Sequence, residues 1–110
     1  MSWQDLVVLL ARHVPEGSLT TYAAVSVWAY GNPSMNQPVR SMLRGAVNHG
    51  FQTLTNRVVA ADGRLADLPE GAGQQRVQLE SEGVSFDANG RIVGLDGLLV
   101  NLPRSSKGES

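Results

Sequence analysis

Cysteine is absent from this 110-residue chain. Its absence excludes disulfides, thiolate zinc sites and a cysteine nucleophile, and leaves the redox compartment undetermined. Histidine is scarce as well: His13 and His49 make a poor metal set, so neither a metal site nor a cofactor is expected. No stretch approaches the ~20 apolar residues needed to span a bilayer. The opening MSWQDLVVLLARH is broken by Gln4, Asp5 and Arg12 and lacks the charged start and cleavage site of a secretory leader. A cytoplasmic protein without membrane contact is expected. The chain also lacks any excess of positive charge, with nine basic against ten acidic residues and a net charge of -1. That balance is unusual for a protein that holds nucleic acid mainly by charge, so the placement of the charges matters more than their sum. Seven arginines lie at or before position 91, and Asp and Glu lie mostly beyond position 60, so any cationic face belongs to the first sixty residues. No internal repeat is present.

What the chain does have, 42% apolar and 17% charged residues over 110 positions, suits one core and is too little for two ordinary domains. Residues 1–102 read as one domain, and the polar segment 103–110, without an apolar anchor, reads as a disordered tail. Ser2 and Asp5 have the spacing of a helix-capping pair, and Trp3, Leu6, Val7 and Leu10 repeat at helical intervals, which predicts a first helix to about His13. Val14-Pro15-Glu16-Gly17 stops it. A second helix capped by Thr20 or Thr21 carries Ala24, Val25, Trp28 and Ala29 and ends at Gly31-Asn32-Pro33. The third follows at once, with Ser34 or Asn36 as cap, Pro38 in its first turn, and Val39, Met42, Leu43 and Ala46 as its apolar face. Two helices across a tight glycine turn read as helix-turn-helix. From Thr53 to Val59 the pattern changes to that of strands, with hairpin turns at Ala61-Asp62-Gly63-Arg64 and Ala88-Asn89-Gly90. A last helix is predicted from Gln74 to about Ser81 or Glu82, stopped by Gly83. The expected class is α+β, mainly helical, a winged helix-turn-helix.

Several pieces occur in a specific order: Val14-Pro-Glu-Gly-Ser-Leu-Thr-Thr-Tyr22, Gly31-Asn-Pro33, Leu43-Arg44, Asn56-Arg-Val-Val59, Gly63-Arg-Leu65 and Leu79-Glu-Ser-Glu-Gly-Val84. Over residues 3 to 95 this order resembles the DNA-binding domain of the O6-alkylguanine-DNA alkyltransferases, and most closely their cysteine-lacking branch, the alkyltransferase-like proteins. The resemblance implies insertion of the recognition helix into the minor groove and rotation of a damaged guanine into a pocket. It further implies that the lesion is bound without repair and handed to nucleotide excision repair proteins, by a monomer.

Carried over position by position, the family motif Pro-Cys-His-Arg-Val falls on Leu54-Thr55-Asn56-Arg57-Val58, of which only Arg57 and Val58 keep the pattern. Thr55 stands at the nucleophile position. A hydroxyl is far less acidic than a thiol, and Asn56 is no base, which excludes dealkylation. Glu82 matches the acidic residue that orients the missing histidine; it is either a relic of that site or a carboxylate bonded to backbone or to Arg57. Tyr22 matches a tyrosine that lies near the phosphate of the extruded nucleotide, or else it packs at the start of the second helix. Gln37 replaces the arginine that fills the space left by the flipped base, Arg40 replaces a glycine, and Met35 and Pro38 replace alanines. These changes argue against flipping by the family's usual route.

Arg40 and Arg44, four apart on one helix, form with Arg57 either a phosphate-contacting strip or an ordinary solvated face. The expected DNA contacts are thus Tyr22, Gln37, Arg40, Ser41, Arg44 and Arg57. The expected lesion pocket comprises Thr55, Asn56, Val58 and Leu68, the last replacing a tyrosine that touches the lesion. Two functions remain open at this point: a non-enzymatic sensor or shield of alkylated duplex DNA, and a family member that has lost lesion recognition and serves as a generic DNA-binding or protein-interaction module.

Overall fold

The backbone N–H of Ser2 donates to Asp5 Oδ2 at 2.9 Å, so the capping pair forms and α1 runs over Trp3–His13. The computed structural model describes residues 1–65 and 72–103. Thr21 caps α2 (Tyr22–Tyr30) by accepting the N–H of Ala24 at 3.1 Å, and Gly31 ends it in the left-handed conformation, φ 70°. The third helix, α3, covers Asn36–Asn48. Its N-cap is Met35 and not Ser34 or Asn36. The reason is local competition: Ser34 spends both its N–H and its hydroxyl on Asn32 Oδ1, at 2.9 and 2.6 Å, and so turns the chain before the helix begins.

Leu6, Leu10, Val14, Val25, Val39, Leu43 and Val58 are fully buried together under α1, α2 and α3. A second cluster joins Leu19, Val59, Leu79, Val84 and Ile92. Val58 and Val59 are consecutive in β2 (Val58–Val59), and because strand side chains alternate, one enters each cluster. β2 pairs in parallel with β1 (Thr20–Thr21), Thr20 opposite Val58 and Thr21 opposite Val59. On its other side the chain at Leu19 bonds to residues further on: its N–H reaches Leu98 O at 2.9 Å and its carbonyl takes the N–H of Val100 at 3.0 Å.

Two expectations are corrected. Gln52–Thr55 is a short helix, α4, and not a strand. Phe51 N–H bonds back to Ala46 O, and Asn56 N–H to Gln52 O, so this segment continues the turn at the end of α3 and overrides the strand preference of its threonines. The first of the two expected hairpins is also not built as a ladder among the described residues, while the second forms. The turn at 60–64 closes through Ala60 N–H to Arg64 O at 2.9 Å, but Gly63 O then accepts from Ile92 N–H. Around 88–90 the expected hairpin is present: Asp87 N–H bonds Arg91 O at 2.8 Å, Val93 N–H bonds Ser85 O at 2.9 Å, and Phe86 bridges Ile92 antiparallel between them. The later helix, α5, spans Ala72–Ser81, and a further short helix that the sequence did not signal, α6, spans Leu95–Leu98. The result is mainly helical α+β, as expected. Among the described residues no helix is long and apolar enough to cross a membrane. Of the expected tail 103–110, residues 104–110 lie outside the described residues.

Candidate nucleic-acid interface

Val39, Met42, Leu43 and Ala46 face the core, which turns Gln37, Arg40, Ser41 and Arg44 outward; all four are exposed. Their spacing of three and four residues sets them in one row along α3. Two contacts fix how this row is presented. Ser26, buried in α2, donates its hydroxyl to Asn32 O and accepts the N–H of Met35 at 3.0 Å, so a single side chain pins both ends of the turn between α2 and α3. At the other end, Gly45 lets α1 come close. A Cβ built there would meet the Trp3 side chain at 3.0 Å, and the Trp3 ring stacks on His49 at 4.1 Å.

Among the described residues, Arg57, Arg64 and Arg76 are ion-paired with Glu82, Asp62 and Glu80, a set that does not include Arg40 or Arg44. No acidic residue occurs between Glu16 and Asp62, so the charge of the α3 row is not neutralised locally. Tyr22, half-buried at the first turn of α2, packs against the first core cluster and carries the Arg40 guanidinium 5.9 Å above its ring centre.

Arg57 does not join that row. It is 8% exposed, its Nε and Nη2 donate to the two carboxylate oxygens of Glu82 at 3.0 and 2.8 Å, and its Nη1 reaches Val14 O at 3.3 Å. A guanidinium held in this fork has no donor edge to offer a phosphate, so the expected strip reduces to Arg40 and Arg44. Burial pushes the Glu82 carboxyl up, but the hydrogen bonds from Arg57 and Gln78, the charge of Arg57 and the backbone of Gly17 outweigh it and leave the carboxyl below its ordinary 4.5. Donating to the Glu82 carboxylate in turn raises the pKa of the Arg57 guanidinium above its ordinary value, against the opposing effect of burial.

The positions expected to line a lesion pocket are closed in. Val58 belongs to the core and is fully buried. Thr55 is 2% exposed and donates its hydroxyl to Gln52 O at 3.1 Å. Asn56 donates to Gln78 Oε1 at 2.9 Å, and its carbonyl accepts from Gln75 Nε2 at 2.9 Å. Gln78 Nε2 further bonds Thr53 O at 2.8 Å and Glu82 Oε2 at 3.0 Å. Asn56, Gln78 and Glu82 therefore form one hydrogen-bonded group, while the Thr55 hydroxyl is bonded only to a backbone carbonyl, which cannot take its proton. Leu68 lies outside the described residues. Sequence reasoning missed Gln75 and Gln78. Their signal was two glutamines three apart on a helix whose Leu79 must face inward. No group of three His, Asp or Glu side chains among the described residues is disposed to hold a metal.

No protein-family model matches the chain, and no curated protein matches it. Two solved structures do: S. pombe Atl1 in complex with damaged DNA containing O6-carboxymethylguanine, and S. pombe ATL in complex with DNA. Each has a TM-score of 0.63 at 20% identity, and each match covers 90% of this chain and 97% of the neighbour. At that identity the likeness establishes the fold, which is the one the ordered motifs imply.

Proposed function

We propose that this chain is a non-enzymatic protein that binds duplex DNA through the exposed row of α3, recognises O6-alkylguanine within it, and leaves the lesion to nucleotide excision repair. The observation that carries the proposal is the unneutralised pair Arg40 and Arg44, presented with Gln37 and Ser41 on a fold whose two matched structures are DNA complexes. Guanidinium groups on a helix face suit phosphate oxygens, and glutamine and serine offer neutral donors and acceptors to a groove floor. The non-enzymatic part rests on the absence of cysteine and on Thr55, which has no neighbouring base to activate it.

A second reading, generic DNA binding without lesion recognition, is favoured by one observation: Thr55, Asn56 and Val58 are buried and bonded within the protein. Fluorescence anisotropy separates the two. A labelled duplex with one O6-methylguanine and its undamaged twin are titrated at low and physiological salt. The proposal expects clearly tighter binding to the damaged duplex. Equal affinity moves the conclusion to generic DNA binding, and no affinity for either at low salt leaves a protein-interaction module.

A further inference from the structure

We infer that Tyr22 serves DNA binding through Arg40, as the platform that holds the guanidinium in place, and not through its own hydroxyl. This rests on the DNA-binding reading above. The hydroxyl oxygen of Tyr22 is shielded from solvent, and the residue packs against the first core cluster, so the phenol oxygen is not open to a ligand as the protein stands. What Tyr22 offers outward is a ring face, and the Arg40 guanidinium lies over it at 5.9 Å, within the ~6 Å reach of a cation–π contact.

The geometry has a chemical use. A guanidinium stacked on a ring keeps its N–H donors in its own plane, free to fork onto a phosphate, while the ring limits the rotamers the long side chain must give up on binding. Tyr22 is itself well anchored: it is the first residue of α2, whose start is fixed by the Thr21 cap. Arg44, one turn further along α3, has no aromatic ring beneath it among the described residues. The two arginines should therefore behave differently. Arg40 acts as an aimed fork and Arg44 as a mobile charge, and replacement by lysine, which keeps charge but loses the fork, should weaken binding more at position 40 than at position 44.

The test measures duplex affinity across a salt series for wild type, Tyr22→Phe, Tyr22→Leu, Arg40→Ala and the Tyr22→Leu/Arg40→Ala double variant. Thermal melting first establishes a temperature at which all are folded. Tyr22→Leu is expected to weaken binding about two- to fivefold, the scale of an exposed cation–π contact. Tyr22→Phe restores the ring and should restore affinity, and Tyr22→Leu should cost nothing further once Arg40 is alanine. In the free protein, the Arg40 Hδ resonances should show an upfield ring-current shift in wild type and Tyr22→Phe and lose it in Tyr22→Leu. If Tyr22→Phe binds as poorly as Tyr22→Leu, or the effects of Tyr22→Leu and Arg40→Ala multiply independently, the phenol acts on its own and the inference fails while the DNA reading stands. If wild type does not bind duplex at low salt, the DNA reading fails and takes the inference with it.

Discussion

Arg57 and Glu82 meet through two hydrogen bonds of 3.0 and 2.8 Å, with their side chains only 10% and 4% exposed. A buried pair of this kind is costly to break from one side, because the remaining charge keeps its desolvation penalty. Glu82→Gln should lose about 3 kcal/mol of stability, read as a lower urea midpoint with unchanged slope. The double change Arg57→Met/Glu82→Leu, which leaves no orphaned charge, should lose less; a loss as large as that of the single variant would argue that the pair matters through the surrounding amides instead. The pair also sets an acid limit. The folded carboxyl lies below its ordinary 4.5, so its contribution is complete above that value and disappears as pH falls through the lower folded value. Stability measured down the acid range should therefore fall more steeply in wild type than in Glu82→Gln. In the sequence Arg57 and the arginines of α3 look alike, since nothing local to position 57 reveals a carboxylate twenty-five residues later. Pairing with Arg57 was one structural alternative for Glu82, beside a bond to backbone and the family's reading of a relic of the site, and three-dimensional packing decided it.

The turn between α2 and α3 depends on one hydroxyl. Ser26 bonds both Asn32 O and Met35 N–H from a fully buried position, and an alanine there would take this shared partner from a carbonyl and an amide at once. Ser26→Ala should cost about 1–3 kcal/mol in chemical denaturation. It should also weaken DNA binding although residue 26 touches no ligand, because the start of α3 loses its fixed point. Full affinity in a folded Ser26→Ala protein would show that the turn tolerates slack. Elements were legible in the sequence where a local rule was strong: the capping pair of α1, the threonine cap and Gly31 stop of α2, the apolar repeat of α3 and the Gly83 stop after α5. They were not legible where four residues carry conflicting signals. Thr53 and Thr55 favour a strand, but hydrogen bonds from Phe51 and Asn56 back along the chain fold them into α4. A four-residue helix without an amphipathic repeat leaves no periodicity to read.

Across the whole molecule a net charge of -1 coexists with a segment between Glu16 and Asp62 that has no carboxylate. Opposite charges gathered on different faces allow a protein of this balance to hold a polyanion, and the salt dependence should then reflect the local face and not the sum. Two phosphate contacts predict a slope of log K against log salt of about -1.8 on duplex DNA. Arg40→Glu and Arg44→Glu should each abolish measurable binding at physiological salt while thermal melting shows the fold intact; unchanged affinity in both would remove α3 from the interface. The short parallel sheet has a different consequence, for synthesis. The segment 19–21 lies between two others, Thr20 and Thr21 pairing with 57–59 and Leu19 with Leu98 and Val100, and Val100 and Leu102 pack against the cluster that α1 opens. The helix that carries Arg40 and Arg44 is translated early, yet its core is capped by Val100 and Leu102, more than fifty positions after it ends. Pairings of that sequence separation form late. On the ribosome, α1 to α3 should emerge as a loosely closed unit that acquires its final packing only when the segment around residue 99 has cleared the exit tunnel, and a shortened chain that stops before it would carry the α3 face without the frame that steadies it.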